Sequence, residues 1–286
     1  MQTNGNLFYL PLSLPEFFAN WYEAPLAEPF SQDALELAKQ NGQQIEMPPQ
    51  YISLDNIEEL RKISRTERYL EIGSKATLRD ILKLGRSVPK ILREALEGAA
   101  SPLLHPLVSF GACVRPKTPR SEIAAALTAL DARYELRSTP VSSRWLSASR
   151  YAALAKQGAA SNRELLTRIR VPLEEWDYSI YRKIRQSDGG DSGDGAGSDS
   201  MVLLFLTRMQ KDILTDIRVV FTADAVYRVR SAEGFLTGKH LPLAERDAET
   251  FVSLWKDCIA GIETLTPMRQ EIAALCIESC IAQFID

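Results

Sequence analysis

The sequence is short of the residues from which most compact catalytic sites are made. It has only two histidines, His105 and His240, so a histidine-built metal centre or a His-based triad has little material to use. Its four cysteines, Cys113, Cys258, Cys276 and Cys280, lack iron–sulfur spacing and fit a reducing compartment with free thiols. Long apolar runs are missing: stretches such as Met201–Leu206 are far too short to span a bilayer. The opening MQTNGNLFYLPLSLPEFF has no basic n-region and is broken by prolines and polar residues, so no secretory signal is expected. Neither sign of charge dominates. A formal net charge of −3, with no basic stripe and interleaved aromatics, gives no reason to expect nucleic acid as a partner. G-x-S-x-G, Walker and zinc-protease patterns are absent as well. The expectation is a soluble, cytoplasmic chain with no membrane and no nucleic-acid partner.

What is present is ordinary globular material. The 286 residues, 45% hydrophobic and 25% charged, suffice for one large domain or two modest ones. The clearest boundary is QSDGGDSGDGAGSDS, Gln186 to Ser200, which holds five of the fifteen glycines beside four Asp and four Ser. Such a segment buries too little surface to offset its ordering entropy, and it reads as a flexible hairpin tip. Its aspartate spacing suggests calcium, but no Glu closes the pattern. The flanking segments EWDYSIYRKIRQ, SMVLLFLTRMQ and ILTDIRVVFTAD read as three strands of an antiparallel meander.

Two helices follow. The last begins with Thr266 as N-cap and Pro267 at the first helical position. Ile272, Cys276, Cys280 and Phe284, with Leu275 and Ile281 beside them, predict one apolar face packed on a sheet. Cys276 and Cys280 lie one turn apart, but two thiolates make an incomplete metal set, so buried free thiols and no metal are expected. Between residues 50 and 175, short strands (QYISL, RYLEIGS, RYELRS, ELLTRIRVP) alternate with helices (NIEELRKI, TLRDILKL, VPKILREALEGAA, EIAAALTALDA). That alternation implies an α+β or α/β body.

In order along the chain, several segments share one pattern. They are PPQYISLDNIEEL, YLEIGSKATLRDIL with Gly73 and Thr77, ALTALDARYEL, NRELLTRIRVP, YRKI, SAEGFLTGKHL and TPMRQEIAALCI. The set resembles the FAD-binding (medium) subunits of molybdenum hydroxylases, relatives of xanthine dehydrogenase and carbon monoxide dehydrogenase, over nearly the whole chain. The resemblance implies an α+β fold in which residues 1–175 form an FAD-binding-type domain, with α/β subdomains of about 1–55 and 56–175. Residues 176–286 would form a C-terminal domain with a three-stranded antiparallel sheet, helices and the flexible loop 186–200.

By the same resemblance, two glycine motifs would grip the pyrophosphate of FAD. The first, Gly-Gly-Thr-Asp, should precede the PPQ segment. SQDALELAKQNGQQIEM stands there instead, without a Gly-Gly pair, and Asn41-Gly42 reads as an ordinary turn. The second aligns without gaps from Ala100 to Ala132, putting Ser109, Phe110, Gly111, Ala112 and Cys113 on Thr-Ile-Gly-Gly-Asn. Thr118-Pro119 fall on its Ser-Pro and Glu122 on its aspartate. Ala112 adds a Cβ where backbone must approach phosphate, and Cys113 replaces an amide with a weakly bonding thiol. Glu122 reaches one methylene farther toward ribitol or ribose hydroxyls. Lys183 matches a lysine beside the isoalloxazine or its ribityl chain, and Leu165-Leu166 match an apolar pair near the flavin. His105, with no carboxylate near it in sequence, reads as a surface loop residue.

Two functions stay open. One is an oxidoreductase subunit that uses FAD to pass electrons between a partner's [2Fe–2S] clusters and an acceptor, while a molybdopterin subunit hydroxylates substrate. The other is a non-catalytic scaffold or assembly protein that keeps the fold without flavin.

Overall fold

The computed structural model describes residues 2–3, 6–33, 48–114, 121–156, 163–185, 200–222, 225–262 and 265–285. Its first layer is a four-stranded sheet of β1 (Gln2–Thr3), β2 (Asn6–Tyr9), β3 (Glu28–Phe30) and β4 (Gln50–Ser53), in the order β1-β2-β4-β3. β4 runs parallel to both of its neighbours. Helix α1 (Leu14–Glu23) starts where Ser13 caps the Glu16 N–H, and it buries Leu14, Phe17, Phe18 and Trp21 at helical spacing. These side chains pack with Ile52, Ile57 and Leu60 into a separate small core.

The second layer is a five-stranded antiparallel sheet of β5 (Ile63–Arg65), β6 (Tyr69–Gly73), β7 (Arg133–Arg137), β8 (Ser143–Ser147) and β9 (Leu165–Pro172). The strand order is β5-β6-β9-β7-β8. Helices α2 (Leu78–Leu82), α3 (Lys90–Ala99), α4 (Phe110–Cys113), α5 (Ser121–Ala129) and α6 (Ala148–Lys156) belong to this layer. A Thr77/Asp80 capping box starts α2. Ile72, Leu92, Leu96, Phe110, Leu127 and Ile169 are fully buried in its core.

The third layer is antiparallel: β10 (Tyr178–Arg185), β11 (Ser200–Gln210), β12 (Ile213–Thr222) and β13 (Val226–Arg228). Strand periodicity explains the unbroken apolar run at 201–206, because both faces of β11 are covered. Val202, Leu204 and Leu206 join the five-stranded sheet's core. Leu203 and Phe205 face the other way, into a core shared with α7 (Arg230–Leu236), α8 (Glu245–Ala260) and α9 (Pro267–Ile281). No helix among the described residues is long and apolar enough to cross a membrane.

The C-terminal sheet therefore has four strands where three were expected. β13 is only three residues long, too short to show alternation in the sequence. Thr266 and Pro267 do start the last helix, but its buried stripe is Ala273, Ala274, Ile277, Cys280 and Ile281. Leu275 lies on the opposite side and is 58% exposed, while Ile272 and Cys276 only border the core. Asn41-Gly42, Thr118-Pro119 and residues 186–199 lie outside the described residues.

Candidate functional site

In the second motif, Phe110–Cys113 form the short helix α4, capped by the Ser109 hydroxyl on the Ala112 N–H at 3.3 Å. It is held against the segment that leaves β6. Phe110 N–H donates to Ala76 O at 2.8 Å, and Gly111 N–H to Ser74 O at 2.7 Å. Cys113 N–H donates to Ser109 O at 3.3 Å. Gly111 has an ordinary right-handed backbone. It must be glycine because a Cβ would come 2.7 Å from Ser74 O and 2.9 Å from Ser74 Cβ. The glycine serves close packing of two chain segments, and the sequence alone could not separate that role from approach to a phosphate.

The remaining N–H of the turn, on Ser109, donates to Asp33 Oδ2 at 3.0 Å. Asp33 comes from the segment after β3, where the resemblance places the Gly-Gly-Thr-Asp motif. Its Oδ1 pairs with the Lys75 ammonium and accepts from the Ser31 hydroxyl. Lys75 also donates to Ser31 Oγ at 2.6 Å and to Asp55 Oδ1 at 2.8 Å, so all three of its ammonium donors are engaged. Asp33 and Lys75 are dry, with side chains 6% and 7% exposed, whereas Asp55 at 30% touches water.

Glu122 and Lys183 meet each other. Lys183 Nζ lies 2.7 Å from Glu122 Oε1 and donates to Gly98 O at 2.9 Å, joining β10 to α5 and α3. Tyr181, on the same strand, stacks its hydroxyl against Gly98, where a Cβ would lie 2.8 Å from Tyr181 Oη. Leu166 pairs in register with Leu136 and borders the main core, and Leu165 is buried against the first layer. His105 is buried, contrary to expectation, because its Nε2 sits 3.0 Å from Ala100 O and fixes the ring inside the loop. The four cysteines are free thiols. Burial pushes the Cys280 thiol up to about 11 against the pull of Arg182. Among the described residues no cluster of His, Cys, Asp and Glu could hold a metal.

An FAD pyrophosphate needs unpaired N–H donors and a seat that is not anionic. All five N–H groups from Ser109 to Cys113 already have internal acceptors. The adjoining cluster sets two carboxylates against one ammonium, a formal excess of negative charge that repels phosphate. Among the described residues, the Ser109–Cys113 turn and the cluster beside it do not fit the group. Sequence reasoning missed Asp33, Asp55 and Lys75. A signal existed for the first: Phe30–Asp33 can be laid on Gly-Gly-Thr-Asp so that only the aspartate is kept. Lys75 falls where the IGA-x-x-TL pattern leaves any residue open, so nothing marked it.

Residues 31–174 match the family described as the FAD binding domain in molybdopterin dehydrogenase. No curated protein sequence matches the chain. Among solved structures, the reconstituted CO dehydrogenase from Oligotropha carboxidovorans is similar at 19% identity and a TM-score of 0.74, covering 99% of this chain and 97% of that one. Quinoline 2-oxidoreductase from Pseudomonas putida 86 is similar at 17% identity and a TM-score of 0.74, with 99% and 98% covered. Carbon monoxide dehydrogenase from Hydrogenophaga pseudoflava, in a form lacking the Mo-pyranopterin moiety, gives 18% and 0.72, with 99% and 97% covered.

Proposed function

The chain belongs to the family of FAD-binding domains in molybdopterin dehydrogenases, and on that footing we propose that it is a flavin-free medium-type subunit. It keeps the fold as a scaffold within a molybdenum hydroxylase-type assembly in the cytoplasm. Its partners are an iron–sulfur subunit and a molybdopterin subunit. The observation that carries this reading is the fully internal bonding of the Ser109–Cys113 turn, including the Asp33 carboxylate on its first N–H. Function resides in the site and not in the fold, so membership of the family does not bring electron transfer with it. The Glu122–Lys183 pair supports the same reading: both groups that would serve a cofactor are satisfied by each other and by Gly98. The test is the absorbance of the purified full-length protein in the flavin bands, together with co-purification of the two partner subunits. Colourless protein that still enters the complex is expected. Yellow protein with stoichiometric FAD would overturn the proposal.

A further inference from the structure

We propose that Asp33 is a built-in ligand, whose carboxylate fills the anion place beside the Ser109 turn and, with Lys75, fastens the first sheet to the second. The meaning of this inference rests on the flavin-free reading, while its geometry stands by itself. Ser31 and Asp33 follow β3, and Asp55 follows β4. These are the carboxyl ends of two parallel strands, the edge at which open α/β sheets hold ligands. Lys75 and Ser109 come from the other layer, one just after β6 and the other just before α4. Between them the Asp33 carboxylate meets an ammonium, a hydroxyl and a backbone N–H. That donor set would hold any small anion. Here the anion is tethered to the chain, so its place is filled without a diffusing partner.

The chemistry predicts what happens when the tether is cut. Asp33→Ala leaves Lys75, Ser31 and the Ser109 N–H around a space of carboxylate size, and formate is the probe that fits it. Asp33→Asn keeps the shape and removes the charge, and it carries the test if the alanine variant does not fold. Two quantities are read in the full chain: amide hydrogen exchange at Ser109 and the unfolding midpoint, in formate and in chloride at equal ionic strength. Exchange at Ser109 should be about tenfold to a hundredfold faster in Asp33→Ala than in wild type, as expected for loss of a bond to a charged acceptor. Formate should slow it again and raise the midpoint, whereas chloride should not, and neither salt should change the wild type. Asp33→Asn should lie between the two. Wild-type exchange in both variants would overturn the proposal, as would formate acting on wild type as it does on Asp33→Ala. The two readings fail separately. FAD taken up by the wild type would end the flavin-free reading and leave the exchange result standing, while unchanged exchange would end the built-in ligand in a protein that remains colourless.

Discussion

At the junction of the first two sheets, Lys75 faces Asp33 and Asp55; at the junction of the second and third, Arg218 faces Asp131, Glu174 and Asp216. Both cations are buried, with side chains 7% and 9% exposed. Arg218 makes the richer set of contacts: it also donates to Ala129 O at 2.8 Å and lies 4.5 Å over the Trp176 ring. The acids differ more than the cations do. Asp131, Glu174 and Asp216 are 44%, 41% and 30% exposed, whereas Asp33 is 6% exposed. The loss on removing a cation depends on what its partners do afterwards. Wet carboxylates rehydrate, and a dry one is left stranded. Bond counts alone would rank the two junctions the wrong way round.

The sharpest break of this comparison is Lys75→Met, which strands Asp33. It should lower unfolding stability by about 3–5 kcal/mol in urea titration. Arg218→Met removes more bonds yet should lower stability by only about 1–2 kcal/mol, because its partners regain water. Equal losses would remove the distinction between the junctions. Glu122→Gln comes next. Lys183 keeps Gly98 O and is partly solvated, so about 1 kcal/mol is expected, with no change in flavin content.

The smallest effect is a pH dependence on the second sheet. Burial pushes the Glu71 carboxyl up, but Arg168 at 2.7 Å and Arg170 at 2.8 Å outweigh it and hold the group below the usual carboxylate range. A depressed folded-state value stabilises fully above the unfolded value and is lost as pH falls through the folded one. The stability difference between wild type and Glu71→Gln should therefore shrink as pH drops below about 4. A difference that is flat with pH would contradict the assignment.

Much of the fold was legible because its signals are local. The Thr266-Pro267 start, the helix in TLRDILKL and the apolar strand in SMVLLFLTRMQ each follow from a few neighbouring residues. The β13 strand and the exposed side of the last helix were not, since pairing and burial depend on what lies opposite. At the site, the turn at Ser109–Cys113 could be located from its pattern, but its internal bonding could not. Asp33 and Ser109 lie 76 residues apart, and only the folded chain brings the carboxylate to that N–H. The same holds for Glu122 and Lys183, each singled out for a cofactor and found paired with the other.

The central claim is that the family's cofactor place is closed from within. Calorimetric titration of the purified wild-type chain with FAD tests it most directly. No heat of binding beyond dilution is expected; saturable one-to-one binding would contradict a closed site.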